Sequence, residues 1–103
     1  MTQIAKSSQF EADFERSALY IFEGDPGAAL RFIDAVDRAI ALLASNPEMG
    51  PGWRYADPTR PTRFLLVPGF RNYILFYRYE ERIVRLGRLL HGAQDLADVL
   101  EEQ

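Results

Sequence analysis

His91 is the one histidine of the chain, and so the side chain expected to change protonation near neutral pH without a strong shift. Arg88 precedes it and Asp95 follows it, while Arg63, Arg78 and Glu48 come from earlier segments. An imidazole that gives and takes a proton, guanidinium groups that hold developing negative charge and a carboxylate that serves as base together make up equipment for acid–base chemistry on an anionic substrate. Each residue also has a structural reading. His91 at a strand end is expected to bond backbone or Asp95 and fix the turn into the tail. Arg63 is either a partner of Glu48 or part of a binding face.

Arg88 shares strand parity with Val84, Leu86 and Leu90. Either Gly87 marks a bulge that re-aims it, or a charge sits in an apolar face and must be paired. Pairing with Asp95 is the expected form. The absence of cysteine excludes a disulfide framework, a thiol nucleophile and cysteine-based metal sites. No metal and no cofactor are expected.

Charge is segregated along the chain. Residues 54–91 carry eight arginines against Asp57, Glu80 and Glu81, a net +5, whereas residues 1–53 and 92–103 are each −4. Eleven of the twelve cationic residues are arginine, whose planar fork pairs bidentately with phosphate or carboxylate. The basic island therefore offers an anionic partner Arg63, Arg71, Arg78, Arg85 and Arg88, with Trp53 beside them. Trp53 and Tyr55 are expected to anchor their loop rather than to stack bases. No segment approaches the ~20 apolar residues that span a bilayer, and residues 1–10 lack the basic and apolar regions of a leader. The expected location is the cytoplasm, with no membrane partner.

The positioning elements follow from periodicity. Residues 2–6 form a weak strand candidate. Ser8 with Glu11 makes a capping box, and Phe10, Phe14, Ala18, Ile21 and Phe22 then give one apolar stripe to about Phe22, with Gly24 as the stop. Asp25 followed by Pro26 starts a second helix, whose buried face is Ala29, Phe32, Ile33, Val36, Ile40 and Leu43, ending at Ser45-Asn46-Pro47. The short connection implies an antiparallel helical hairpin. Residues 46–61, with four prolines and two glycines, form a long ordered loop. Three strands follow at 62–67, 73–79 and 82–90 as an antiparallel meander, the middle one apolar on both faces and hence central. One sheet face must cover the hairpin. Leu96, Val99 and Leu100 suggest a short C-terminal helix. The expected fold is α+β, in the order β-α-α-β-β-β, as one domain over residues 1–103.

Several motifs in this order narrow the reading. Pro26, Ala29 and Phe32 open the second helix, Pro47-Glu48-Met49-Gly50 follows it, Leu75-Phe76-Tyr77-Arg78 lies in the middle strand, and Arg88-Leu89-Leu90-His91-Gly92-Ala93-Gln94-Asp95 closes the meander. From about Phe10 to Leu100 the chain resembles the ParE branch of the ParE/RelE toxins of type II toxin–antitoxin systems. That resemblance implies co-expression with an antitoxin and one of two routes to growth inhibition. ParE-like members poison DNA gyrase; RelE-like members cut mRNA in the ribosomal A site with basic residues plus a tyrosine or histidine near the end of the last strand. On the second route His91, Arg63 and Arg88 would be the catalytic set. The scarcity of lysine, with Lys6 alone, and Gly92 after the histidine depart from the RelE-like pattern. The expected protein is therefore a non-enzymatic gyrase inhibitor held silent by a ParD-like antitoxin, without sequence-specific DNA binding of its own. The alternatives are an mRNA endoribonuclease, or a nucleic-acid-binding or protein-binding module.

Overall fold

The first turn of the first helix is fixed by a contact with the last strand. In the computed structural model, which describes residues 2–54, 56–92 and 95, β1 (Gln3–Lys6) leads into α1 (Ser8–Gly24). The capping residue is Ser7 rather than Ser8. Its Oγ accepts from the Phe10 amide at 2.9 Å and donates to the Gly87 carbonyl at 2.9 Å. The tertiary bond decides between two adjacent serines, and it places Glu11 one position beyond capping-box reach.

Helix α1 continues past Phe22 through Gly24 and meets α2 (Pro26–Ser45) across one residue. Asp25 serves both helices. Its amide donates to the Ile21 carbonyl at 2.8 Å, and its carboxylate accepts from the Ala28 amide at 3.2 Å. Pro26 then occupies the first helical position, where its missing N–H costs nothing. The structural roles expected of Asp25 and Pro26 correspond to these contacts.

The remaining elements are β2 (Arg63–Val67), β3 (Phe70–Glu80) and β4 (Ile83–His91). The sheet order is β1-β4-β3-β2, with β1 parallel to β4 and the other pairs antiparallel. The weak N-terminal segment is thus an edge strand. The connection expected over residues 68–72 is shorter, because Phe70 already pairs with Val67. The β3–β4 hairpin turns through Glu81 and Arg82, both at positive φ (54° and 65°). That is what a two-residue turn matched to strand twist requires, here without the usual asparagine or glycine. The expected C-terminal helix lies outside the described residues.

The hairpin covers one sheet face. Phe10, Phe32, Val36 and Leu43 meet Val67, Tyr73, Leu75, Tyr77, Val84, Leu86 and Leu89 in one core. Phe32 links the layers, lying 6.2 Å from the Phe14 ring and 4.9 Å from that of Tyr73. The long loop covers part of the other face, where Trp53 packs edge-on against Phe64 at 5.5 Å and Phe76 at 5.1 Å.

Candidate functional site

A single extra residue determines which side chains share a face. Phe76 opposes Arg88 and Tyr77 opposes Leu86, so Gly87 is bulged out of the ladder. Before the bulge, Val84 and Leu86 face the helices. After it, Leu89 and His91 do so, and Arg88 and Leu90 turn to the far face. Of the two alternatives left open for Arg88, a bulge at Gly87 or a paired charge in the apolar face, the ladder shows the bulge, which turns Arg88 off the helix-facing side.

Arg88 is paired, but with Asp13 rather than Asp95. Its Nε donates to Asp13 Oδ2 at 2.8 Å and its Nη2 to Oδ1 at 3.3 Å. Asp13 is one of two buried polar residues among those described. It also accepts from the Leu89 amide at 3.0 Å and from Arg16 Nη2 at 3.2 Å. The geometry has a local cause. Strand β1 ends opposite Leu86, so the next outward groups of β4 lack a strand partner, and the start of α1 supplies them. Ser7 donates to the carbonyls of Leu86 and Gly87, and Asp13 accepts from the amide of Leu89. This meets the requirement that buried backbone groups be paired.

Asp95 instead accepts from the His91 amide at 2.8 Å and lies 3.8 Å from Arg16. The His91 ring stands edge-on to Tyr73 at 5.1 Å, on the helix side of the sheet. Burial raises the Tyr73 hydroxyl above its ordinary pKa of 10.0, with Asp95 and Tyr20 adding to the shift.

Arg63 is placed elsewhere again. It pairs across the ladder with Tyr77, and its Nη1 donates to the carbonyls of Glu48 at 2.9 Å and Gly50 at 2.8 Å. Its Nη2 lies 3.7 Å from the Glu48 carboxylate. Tyr77 completes this clamp by accepting from the Gly50 amide through its hydroxyl at 3.0 Å. Burial raises the Tyr77 hydroxyl, opposed by that bond and by Arg63. A Cβ at Gly50 would strike the Phe64 carbonyl oxygen and stand 2.8 Å from the Tyr77 hydroxyl, so the glycine of the Pro47-Glu48-Met49-Gly50 motif marks a close approach of backbone to sheet.

The far face carries a groove of about 800 Å³ between β1, the long loop and strands β3 and β4. Its cationic lining is Lys6, Arg60, Arg78, Arg85 and Arg88, against Asp57 as the one acidic group among the described residues; Trp53, Phe76 and Leu90 supply apolar surface. Asp57 accepts from the hydroxyl and amide of Thr59 at 2.7 and 2.8 Å, which holds its carboxyl below the ordinary value of 3.8. Of the candidates read from sequence, Arg78, Arg85, Arg88 and Trp53 line this groove and Arg63 and Arg71 do not. His91, Arg63 and Arg88 are not brought together. Asp13 is not among the residues singled out from sequence: it shares the Phe10–Phe14 turn with Glu11, and no local signal sets it apart from a solvated carboxylate.

Among the described residues no group of histidine and acidic side chains could hold a metal ion, and no helix is long and apolar enough to cross a membrane. The arrangement suits recognition of an anionic partner through arginine forks.

Comparison with known proteins gives this arrangement a family. Residues 4–96 match the model of the ParE toxin of type II toxin–antitoxin system, parDE. The chain is also 32% identical over 89 residues to Toxin RelE1 of Caulobacter vibrioides, an alignment covering 85% of this chain and 90% of that protein. Motif order, α+β topology and both matches agree, and the chain belongs to the ParE toxin family of type II toxin–antitoxin systems.

Proposed function

We propose that this toxin stops growth in the cytoplasm by binding and poisoning DNA gyrase, without catalysis of its own, and that a ParD-like antitoxin neutralises it. The observation that carries the non-catalytic reading is the parity change at Gly87. It turns His91 to the helix side, against Tyr73, while the arginine groove opens on the other side. A ribonuclease needs its proton-transferring group and its phosphate-holding cations around one scissile bond. Asp57, the carboxylate in the groove, is a weakened base because Thr59 stabilises its charged form.

The antitoxin has an apolar place to dock. Leu19, Tyr20, Phe22 and Leu30 are each more than half exposed around the hairpin tip, and an amphipathic helix laid there would cover them. The basic groove is the observation that favours a second reading, ribosome-dependent cleavage of mRNA.

Replacing His91 by alanine separates the two. Growth inhibition by His91→Ala, produced without antitoxin, is expected to match that of the parent. Complete loss of inhibition in a variant with unchanged thermal unfolding would contradict the non-catalytic reading.

A further inference from the structure

Arg78 and Arg85 stand directly opposite each other on the two central strands, on the face away from the helices. Like charges at a cross-strand pair are destabilising. Among the described residues neither makes an ion pair within 4.0 Å. The Arg78 Nε is buried and makes no hydrogen bond in the structure, and a buried donor without an acceptor is costly. Asp57 feels the charge of Arg78, but its carboxylate is held by Thr59. The sheet therefore holds two neighbouring arginines that, among the described residues, have no ion-pair partner.

We propose that Arg78 and Arg85 form a carboxylate receptor in the groove, for an extended acidic segment of the antitoxin that seats an apolar side chain against Trp53 and Phe76. This rests on the reading that an antitoxin silences the toxin and assigns one part of its contact. The cationic lining gives the charge complementarity, and the apolar floor suits a peptide better than a nucleic acid. Trp53 lies edge-on to both Phe64 and Phe76, in an aromatic cluster of the fold rather than as an open platform for successive bases.

Trp53 is the one tryptophan of the chain, so its fluorescence reports on the groove in the intact toxin. The probe is an end-blocked eight-residue peptide of alternating glutamate and leucine, with a glutamine-for-glutamate peptide and a twelve-nucleotide oligothymidylate as comparisons. The glutamate peptide is expected to shift Trp53 emission. Arg78→Gln, and separately Arg85→Gln, should weaken binding about 10- to 100-fold, the loss of one charge-assisted contact. Without peptide, Arg85→Gln should melt about 1–6 °C higher, because the cross-strand repulsion is relieved. The proposal is overturned by an unshifted emission, by equal binding of the glutamine peptide, by parent-like affinity in both variants, or by oligothymidylate that binds more tightly than the glutamate peptide. Co-purification of the parent toxin with its cognate antitoxin tests the underlying reading separately. A complex that forms and is unaffected by either substitution refutes the receptor alone; failure of the parent to form any complex refutes both.

Discussion

Removing the Asp13 carboxylate should be among the most damaging single changes this fold can suffer. Asp13 is 2% exposed and accepts bonds from Arg88, from the Leu89 amide and from Arg16. In Asp13→Ala the buried Leu89 amide loses this acceptor, which costs about 1–3 kcal/mol, and the charge-assisted bonds to Arg88 are worth about 1.5–3 kcal/mol more. The Arg88 side chain is 35% exposed, so water recovers part of the second contribution, and the Arg16 bond is more than half exposed and adds little. The net loss is about 3–4 kcal/mol from a total that for such domains is about 5–15 kcal/mol, or a melting temperature lowered by about 12–30 °C. Urea unfolding followed by Trp53 emission measures it. In a double-mutant cycle, Asp13→Ala with Arg88→Met should cost less than the two single changes added together, with a coupling of about 1–2 kcal/mol. A loss below about 1 kcal/mol for Asp13→Ala, or strict additivity, would refute Asp13 as the tie between α1 and β4.

Three further outcomes follow from the same contacts. Gly50→Ala should destabilise by about 1–3 kcal/mol, since its Cβ overlaps the Phe64 carbonyl, and limited proteolysis should then cut the loop at 46–61 faster than in the parent; parent-like stability and cleavage would contradict the close approach. Glu81→Asn with Arg82→Gly should stabilise by about 1 kcal/mol, because both residues occupy positive φ, and a thermal melt that does not rise would count against a strained turn. Burial raises the pKa of Tyr73 and Tyr77 above 10.0. Their contribution to stability is therefore intact below about pH 10 and lost above it, as the unfolded tyrosines ionise first, by up to about 1.4 kcal/mol per pH unit for each. Urea titrations from pH 9 to 12 should show that fall, and Tyr73→Phe should make it shallower; an unchanged slope would contradict the assignment.

Much of the fold is written in local signals. Asp25 and Pro26 announce the second helix because capping chemistry is local, and the alternation of β3 announces a central strand because both of its faces are covered. The site is less legible, since its residues are sorted by a bulge. Gly87 was the visible hint, but only the ladder shows that it sends Arg88 and His91 to opposite faces. The partner of Arg88 lies 75 positions away in sequence, and no periodicity in α1 distinguishes Asp13 from a solvated carboxylate. Ser7 and Ser8 are equivalent as local caps; the Gly87 carbonyl decides between them. Arg63 could be read either as a partner of the Glu48 segment or as a binding group, and its bonds to the Glu48 and Gly50 carbonyls favour the first.

The most direct test of the central claim is purified toxin in a gyrase supercoiling assay on plasmid DNA, run beside a ribosome-programmed mRNA cleavage assay. Gyrase poisoning predicts inhibited supercoiling with mRNA left intact. Cut mRNA with normal supercoiling would contradict it.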